Sequence, residues 1–303
     1  MHARPQPIRK RESSRAADPS LDELMLRFFR LLRLAVWRAF RHDAFAIAKA
    51  SAYSSILTFF PALLVVGSLL ATTHGGQAYL REVSGALAKI LPAGSATAAA
   101  YLRGGQQKPI GLIVTASLIT LWTASGVIIS WMAGFRKSYE LPNTWSLAKE
   151  RLIALGLVVL AGIPLTFATG LVVFGSSIET RILFHIGHVF GPLILLMWMA
   201  IRWAIAIVTS IAVIALIYHN AVPRTQPWHS VLPGASLATA LWLPATALFG
   251  WYLRHYSDYS VIYGSLGAGI ALLVWMYMIS LIVLIGAEFN AMLFPRAPEG
   301  KTG

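Results

Sequence analysis

YGSLGAGIALLVWMYMISLIVLIGAEFNAML, residues Tyr263–Leu293, carries a single charged side chain, Glu288. A helix that crosses the hydrocarbon core needs about 20 mostly apolar residues, and this run exceeds that length. It is too long for a barrel strand of about 10 residues and lacks their period-two alternation. Lipid also requires backbone groups to be paired within the segment. The run therefore predicts a transmembrane helix. Five similar runs precede it: Ala44–Ala71, Gly111–Ala133, Leu152–Phe174, Leu193–Ile217 and Val231–Trp251. Prolines 61, 164 and 244 fall inside the first, third and fifth.

Composition leads to the same class. Of 303 residues, 57% are apolar and 12% are charged, where an ordinary soluble domain carries about a quarter charged residues. With a mean hydropathy of +0.66, the chain has too few polar side chains to coat a soluble domain, and disorder is excluded with it. There is no cysteine, which removes disulfides, thiolate metal sites and Cys nucleophiles. The net charge of +13 would suggest nucleic acid in a soluble protein; here its distribution argues for cytoplasmic loops and anionic headgroups instead, with no nucleic acid partner. Ten of the 25 Lys and Arg lie before Ala44. If that end is cytoplasmic, the inner segments hold 17 cations and the outer ones six. The positive-inside rule then places both termini in the cytoplasm, as an even number of spans requires.

Two segments are neither span nor plain loop. Leu21–Arg41 mixes Leu, Phe and Trp37 with arginines three to five apart. This pattern suits an amphipathic helix on the cytoplasmic leaflet, its arginines reaching anionic headgroups; packing on the protein's own cytoplasmic loops is the alternative. Gln77–Arg103 repeats apolar positions at Leu80, Val83, Leu87, Ile90 and Leu91 before Pro92 and Gly94, predicting a helical outer segment between spans one and two. The expected architecture is an all-α integral membrane protein: a basic disordered tail (1–20), an amphipathic interfacial helix (21–43), a six-helix transmembrane domain (44–294) and a short cytoplasmic tail (295–303).

Ionisable groups inside a membrane are costly and mark functional sites. Lys49 lies about five residues into span one and Glu288 about six from the end of span six, both near the cytoplasmic side. They either pair or share a hydrated pocket, or else stand apart, with Lys49 snorkelling to headgroups. Arg202 is deeper, in span four. It is either a buried anion site, partnered by Glu179, Asp258 or a ligand, or the first residue of a helix preceded by a separate interfacial segment. Trp251, Tyr252, Tyr256, Tyr259 and Tyr263 gather where span five leaves and span six enters, which suits an interfacial belt or a stacking site. Catalytic signals are poor. His185 and His188 make a weak metal pair, the acids of the outer segments are scattered, and no GxSxG, HExxH, P-loop or cofactor motif occurs.

Three stretches resemble the BrkB/YihY family of bacterial inner-membrane proteins, once labelled ribonuclease BN-like. They are AIAKASAYSSILTFFPALLVV (Ala46–Val66), LWTASGVIISWMAGFRKSYELP (Leu121–Pro142), and AVPRTQPWHSVLPGASLATALW (Ala221–Trp242) continued by Tyr259–Ala291. Tyr53, Pro61, Pro223, Pro233, Gly234, Tyr263, Gly264, Trp275, Gly286 and Glu288 carry the signature in combination. Gly134 departs from an Asn common in one branch of the family. The resemblance covers about Arg41 to Leu293. It implies six helices in the inner membrane and movement of lipids or envelope precursors. The leading expectation is a transporter or flippase for an anionic or amphipathic substrate, with Lys49, Arg202 and Glu288 on its pathway. A non-transporting envelope assembly protein comes second and a membrane-associated ribonuclease last.

Overall fold

Seven helices carry the described residues, which are 21–71, 110–185, 191–223, 227–256 and 266–295 of the computed structural model. They are α1 (Leu21–Arg41), α2 (Ala44–Ala71), α3 (Ile110–Ser138), α4 (Leu147–His185), α5 (Gly191–Asn220), α6 (Trp228–Tyr256) and α7 (Leu266–Leu293). α2 to α7 are each long and apolar enough to cross a membrane, so the protein is an all-helical, six-span membrane protein. Both tails, the segment Gln77–Arg103, Tyr263 and Gly264 lie outside the described residues.

Several expected boundaries move. α4 extends past Phe174 to His185, and α5 runs unbroken from Gly191 through Arg202. The alternative in which a helix begins at Arg202 is therefore excluded. α3 ends further along than its apolar run, at Ser138, because Arg136 and Lys137 in its last turn complement the helix dipole.

Each span packs on its neighbour in sequence, and α7 returns to α2, which closes the six into a ring; α7 also touches α3. Many hydroxyls in these helices donate to the carbonyl four residues back, as Thr58 does to Ser54 and Thr120 to Ala116. That is the cheapest satisfaction open to a hydroxyl in lipid. Two serines reach across instead: Ser51 of α2 bonds Ser280 of α7 at 2.9 Å, and Ser125 of α3 accepts from Arg151 of α4 at 2.6 Å.

The core is asymmetric along the ring axis. Its buried members include Ala44 and Ala48 at the start of α2, Met132 and Phe135 late in α3, Ala154 and Leu157 early in α4, Ile217 and Tyr218 at the end of α5, Val231 and Ala235 early in α6, and Leu284, Ala287 and Ala291 late in α7. All of these lie in the half of the ring nearest α1. In the opposite half, Leu118, Ile163, Phe167 and Leu248 are exposed.

α1 lies on the closed half, chiefly against α7. Acidic Asp22 and Glu23 begin it and basic Arg38 and Arg41 end it, which suits the helix dipole. Ala35 is buried with Phe289 of α7 and Leu237 of α6, flanked by Leu31 and Leu32. α1 therefore packs on the spans themselves rather than on loops. A second apolar stripe, Met25, Phe29, Val36 and Phe40, stays exposed at helical spacing, beside exposed Arg27, Arg30, Arg33 and Arg41.

Candidate functional site

The α1 end of the ring holds a knot of charges built on two irregular turns. α1 passes into α2 through Asp43, whose φ of 59° is left-handed. α3 is closed by Glu140 at φ 52°. The Leu141 amide donates to the Arg136 carbonyl at 2.8 Å and the Glu140 amide to that of Lys137 at 3.1 Å. This is a Schellman closure with Glu where Gly is usual. The two turns present their carboxylates to opposite partners. Lys137 Nζ donates to Asp43 Oδ2 at 2.7 Å, and Arg38 reaches Glu140 at 3.5 Å. The hydrogen bond and charge of Lys137 hold the Asp43 carboxyl below the usual carboxylate range. Nearby, Arg136 pairs with Glu150, a buried carboxylate in the first turn of α4.

At the centre lies Glu288, 1% exposed. Its Oε1 is 2.6 Å from His42 Nδ1, and its Oε2 accepts from Arg38 Nε at 3.3 Å. A buried carboxylate needs partners that satisfy both oxygens, and here the last turn of α1 and the turn after it supply them. The expected Lys49–Glu288 pair does not form, because Lys49 sits on an exposed face of α2. Sequence reasoning found Glu288 but missed its partners. The signal was present, since Arg38 and His42 lie four apart at the end of an amphipathic helix and so share a face.

Beside the knot, α6 and α7 touch backbone to backbone. A Cβ on Gly234 would collide with the Gly286 carbonyl oxygen, and one on Gly286 with the Gly234 carbonyl and the Tyr218 hydroxyl. Small residues permit this approach. Pro233 lacks an N–H and crowds the turn before it. Asn290 serves the groups around it: its Oδ1 accepts from the Gly234 amide at 2.6 Å, and its Nδ2 donates to the Val231 carbonyl at 3.0 Å. The Tyr218 hydroxyl donates to the Val283 carbonyl at 2.5 Å. Asn290 and Tyr218 also escaped the sequence reading, although a buried Asn in an apolar run is itself a signal.

The remaining candidates scatter. Arg202 is half-buried mid-way along α5, and the side chains of Glu179 and Asp258 lie outside the described residues. Tyr53 is exposed, Pro61 is half-buried within α2, and Pro223 follows the end of α5. Trp275 Nε1 donates to Thr246 at 3.4 Å between α7 and α6. Gly134 faces Leu284 so closely that a Cβ there would strike it, so an Asn at this position requires Leu284 to move. Among the described residues no group of three His, Asp or Glu gathers as metal ligands.

A family model described as virulence factor BrkB matches residues 35–302. The ribonuclease-like protein YfkH of Bacillus subtilis is 26% identical over 84% of this chain and 92% of its own length. A UPF0761 membrane protein of Chromohalobacter salexigens is 25% identical over 88% of this chain, which spans 64% of that protein. Another, from Tolumonas auensis, is 42% identical over a shorter stretch, 26% of each chain. No solved structure matches.

Proposed function

The chain belongs to the virulence factor BrkB family, and we propose that it moves an anionic amphiphile, a lipid or an envelope precursor, across the bacterial inner membrane. The observation that supports this best is Glu288. A carboxylate buried within a span is costly unless it serves a purpose, and this one binds the surface helix α1 to the last span through Arg38 and His42. Movement of α1 against α7 would be felt directly at the core of the ring. Arg202, half-buried mid-way along α5, offers a cation for an acidic headgroup. The positive-inside bias supports placing the α1 end in the cytoplasm. There the exposed arginines of α1 would meet anionic lipid and its apolar stripe would lie in the interface.

The ribonuclease-like name of the Bacillus relative describes that protein. A two-metal nuclease needs clustered carboxylates, and Asp43, Glu140, Glu150 and Glu288 are each engaged by a cation.

The test is lipid movement in proteoliposomes carrying fluorescent phosphatidylglycerol, comparing wild type with an Arg202→Gln/Glu288→Gln double variant. At least a tenfold slower movement with equal reconstituted protein is expected. If wild-type vesicles move the lipid no faster than empty ones, the reading is lost and an assembly role takes its place.

A further inference from the structure

Arg151 stands in the first turns of α4, beside Glu150. A cation near a helix end in a membrane ordinarily snorkels outward to the headgroups. This one reaches inward. Its guanidinium donates to Ser125 Oγ at 2.6 Å and to the Trp122 carbonyl at 3.4 Å, and its Cζ lies 4.2 Å from the centre of the Trp122 ring. Ser125 lies eight residues, about 12 Å at 1.5 Å per residue, inside the Ala133 end of the apolar run of α3. The guanidinium is therefore held at membrane depth by a hydroxyl, a carbonyl and a ring, all neutral. The adjacent carboxylate, Glu150, is already engaged by Arg136. A cation at that depth needs a counterion.

What adjoins it indicates which one. From Arg151 the α4 stripe continues through Val158, Gly162 and Thr166, and the α3 stripe from Ser125 through Leu121 to Ser117 runs antiparallel to it. Beginning at Leu121 and Val158, one turn beyond Ser125 and two turns beyond Arg151, the two stripes flank an open groove of about 650 Å³, with Val65 of α2 on its third side. Its lining is almost wholly apolar, and Ile163 and Phe167 at its lip are exposed on the lipid-facing surface. The volume falls within the range of ligand-binding clefts.

We propose that the α3–α4 groove binds an anionic phospholipid of the surrounding bilayer, its phosphate on Arg151 and one acyl chain lying between α3 and α4. Charge complementarity selects the headgroup, since a neutral or zwitterionic lipid gains less from an uncompensated cation. The opening toward lipid selects a bilayer component over a soluble anion. Ser125 orients the guanidinium, because its own proton is donated to the Trp122 carbonyl at 2.6 Å and its lone pair is left to accept from Arg151. The site names where the lipid of the proposed function is held, and in that sense it rests on that reading; binding and movement are nonetheless measured separately.

The experiment uses the full chain in phosphatidylethanolamine vesicles containing phosphatidylglycerol with a photoreactive group in one acyl chain. Vesicles with the matching phosphatidylcholine serve as control, and labelled peptides are located by mass spectrometry. The expected result is labelling of peptides containing residues 117–121 and 158–167. It should favour phosphatidylglycerol by about fivefold, as one cation near anionic lipid provides. The preference should vanish in Arg151→Gln and survive in Arg151→Lys. An Ile163→Trp variant, altered on an exposed lip and so neutral to folding, should reduce groove labelling by both lipids. Equal labelling by the two lipids, a preference unchanged in Arg151→Gln, or full groove labelling in Ile163→Trp would each overturn the proposal. Preferential labelling in vesicles where no lipid moves would support the site and remove only the flippase reading.

Discussion

Glu140 is a costly residue in a useful place. A left-handed conformation costs a non-glycine residue about 1–2 kcal/mol, and its side chain recovers little through an exposed contact with Arg38. Glu140→Gly should raise thermal stability by about 1 kcal/mol, measured as a shift in the unfolding midpoint in detergent. Asn290 behaves oppositely. Asn290→Ala removes the two buried side-chain bonds that tie α7 to the Gly234 amide and Val231 carbonyl of α6, and should cost about 2 kcal/mol in the same measurement. Asp43 gives a pH dependence. Its carboxyl ionises below the usual range because Lys137 favours the charged form. A depressed folded value means that the tie is fully present above the ordinary carboxylate pKa and is lost as pH falls through the lowered one. Amide exchange at the α1–α2 turn should therefore quicken below about pH 4 after correction for intrinsic rates, and Asp43→Asn should abolish that step. Glu288 was legible in sequence as a lone charge in an apolar run. The shared face of Arg38 and His42 was legible too, but not that Glu288 is what it meets, because that depends on where α1 docks, and α1 docks by the shape of Ala35 against Phe289 and Leu237.

Among the elements, the spans were nearly all readable from hydropathy, since lipid imposes length and composition directly. Their packing was less so, because apolar faces look alike whether they meet lipid or another helix. α1 shows the difference. Its amphipathic pattern predicted a surface, but one helix carries two apolar faces, and sequence spacing alone did not tell which meets the ring. Arg38 and His42 fasten the end of α1 where Ala35 and Ala39 are buried. Arg38→Ala should loosen that end. Proteolysis within residues 21–41 should quicken severalfold while the spans stay folded by circular dichroism. Equal cleavage rates in the two proteins would show that apolar packing alone holds α1.

Across the molecule, the six spans close a ring that is packed at one half and open at the other. Amides of α2, α4 and α6 near the α1 end should exchange far more slowly than those in their distal turns, since local opening follows the density of buried contacts. Uniform protection along each helix would contradict that gradient. No stretch of sequence carried this asymmetry, because it arises from summing small residues, Ala44, Ala48, Ala154, Ala235, Ala287 and Ala291, over helices that run in alternating directions.

The bond between Arg38 and Glu288 joins residues 250 positions apart. A ribosome adding about 5–20 residues per second completes α7 roughly 10–50 s after α1 emerges. During that interval α1 lacks its chief partner, α7. Its stripe of Met25, Phe29, Val36 and Phe40 beside arginines suits it to wait on the cytoplasmic leaflet until the last span arrives. Assembly would then finish where synthesis began, and a chain truncated before α7 should leave α1 on the membrane surface yet open to added protease.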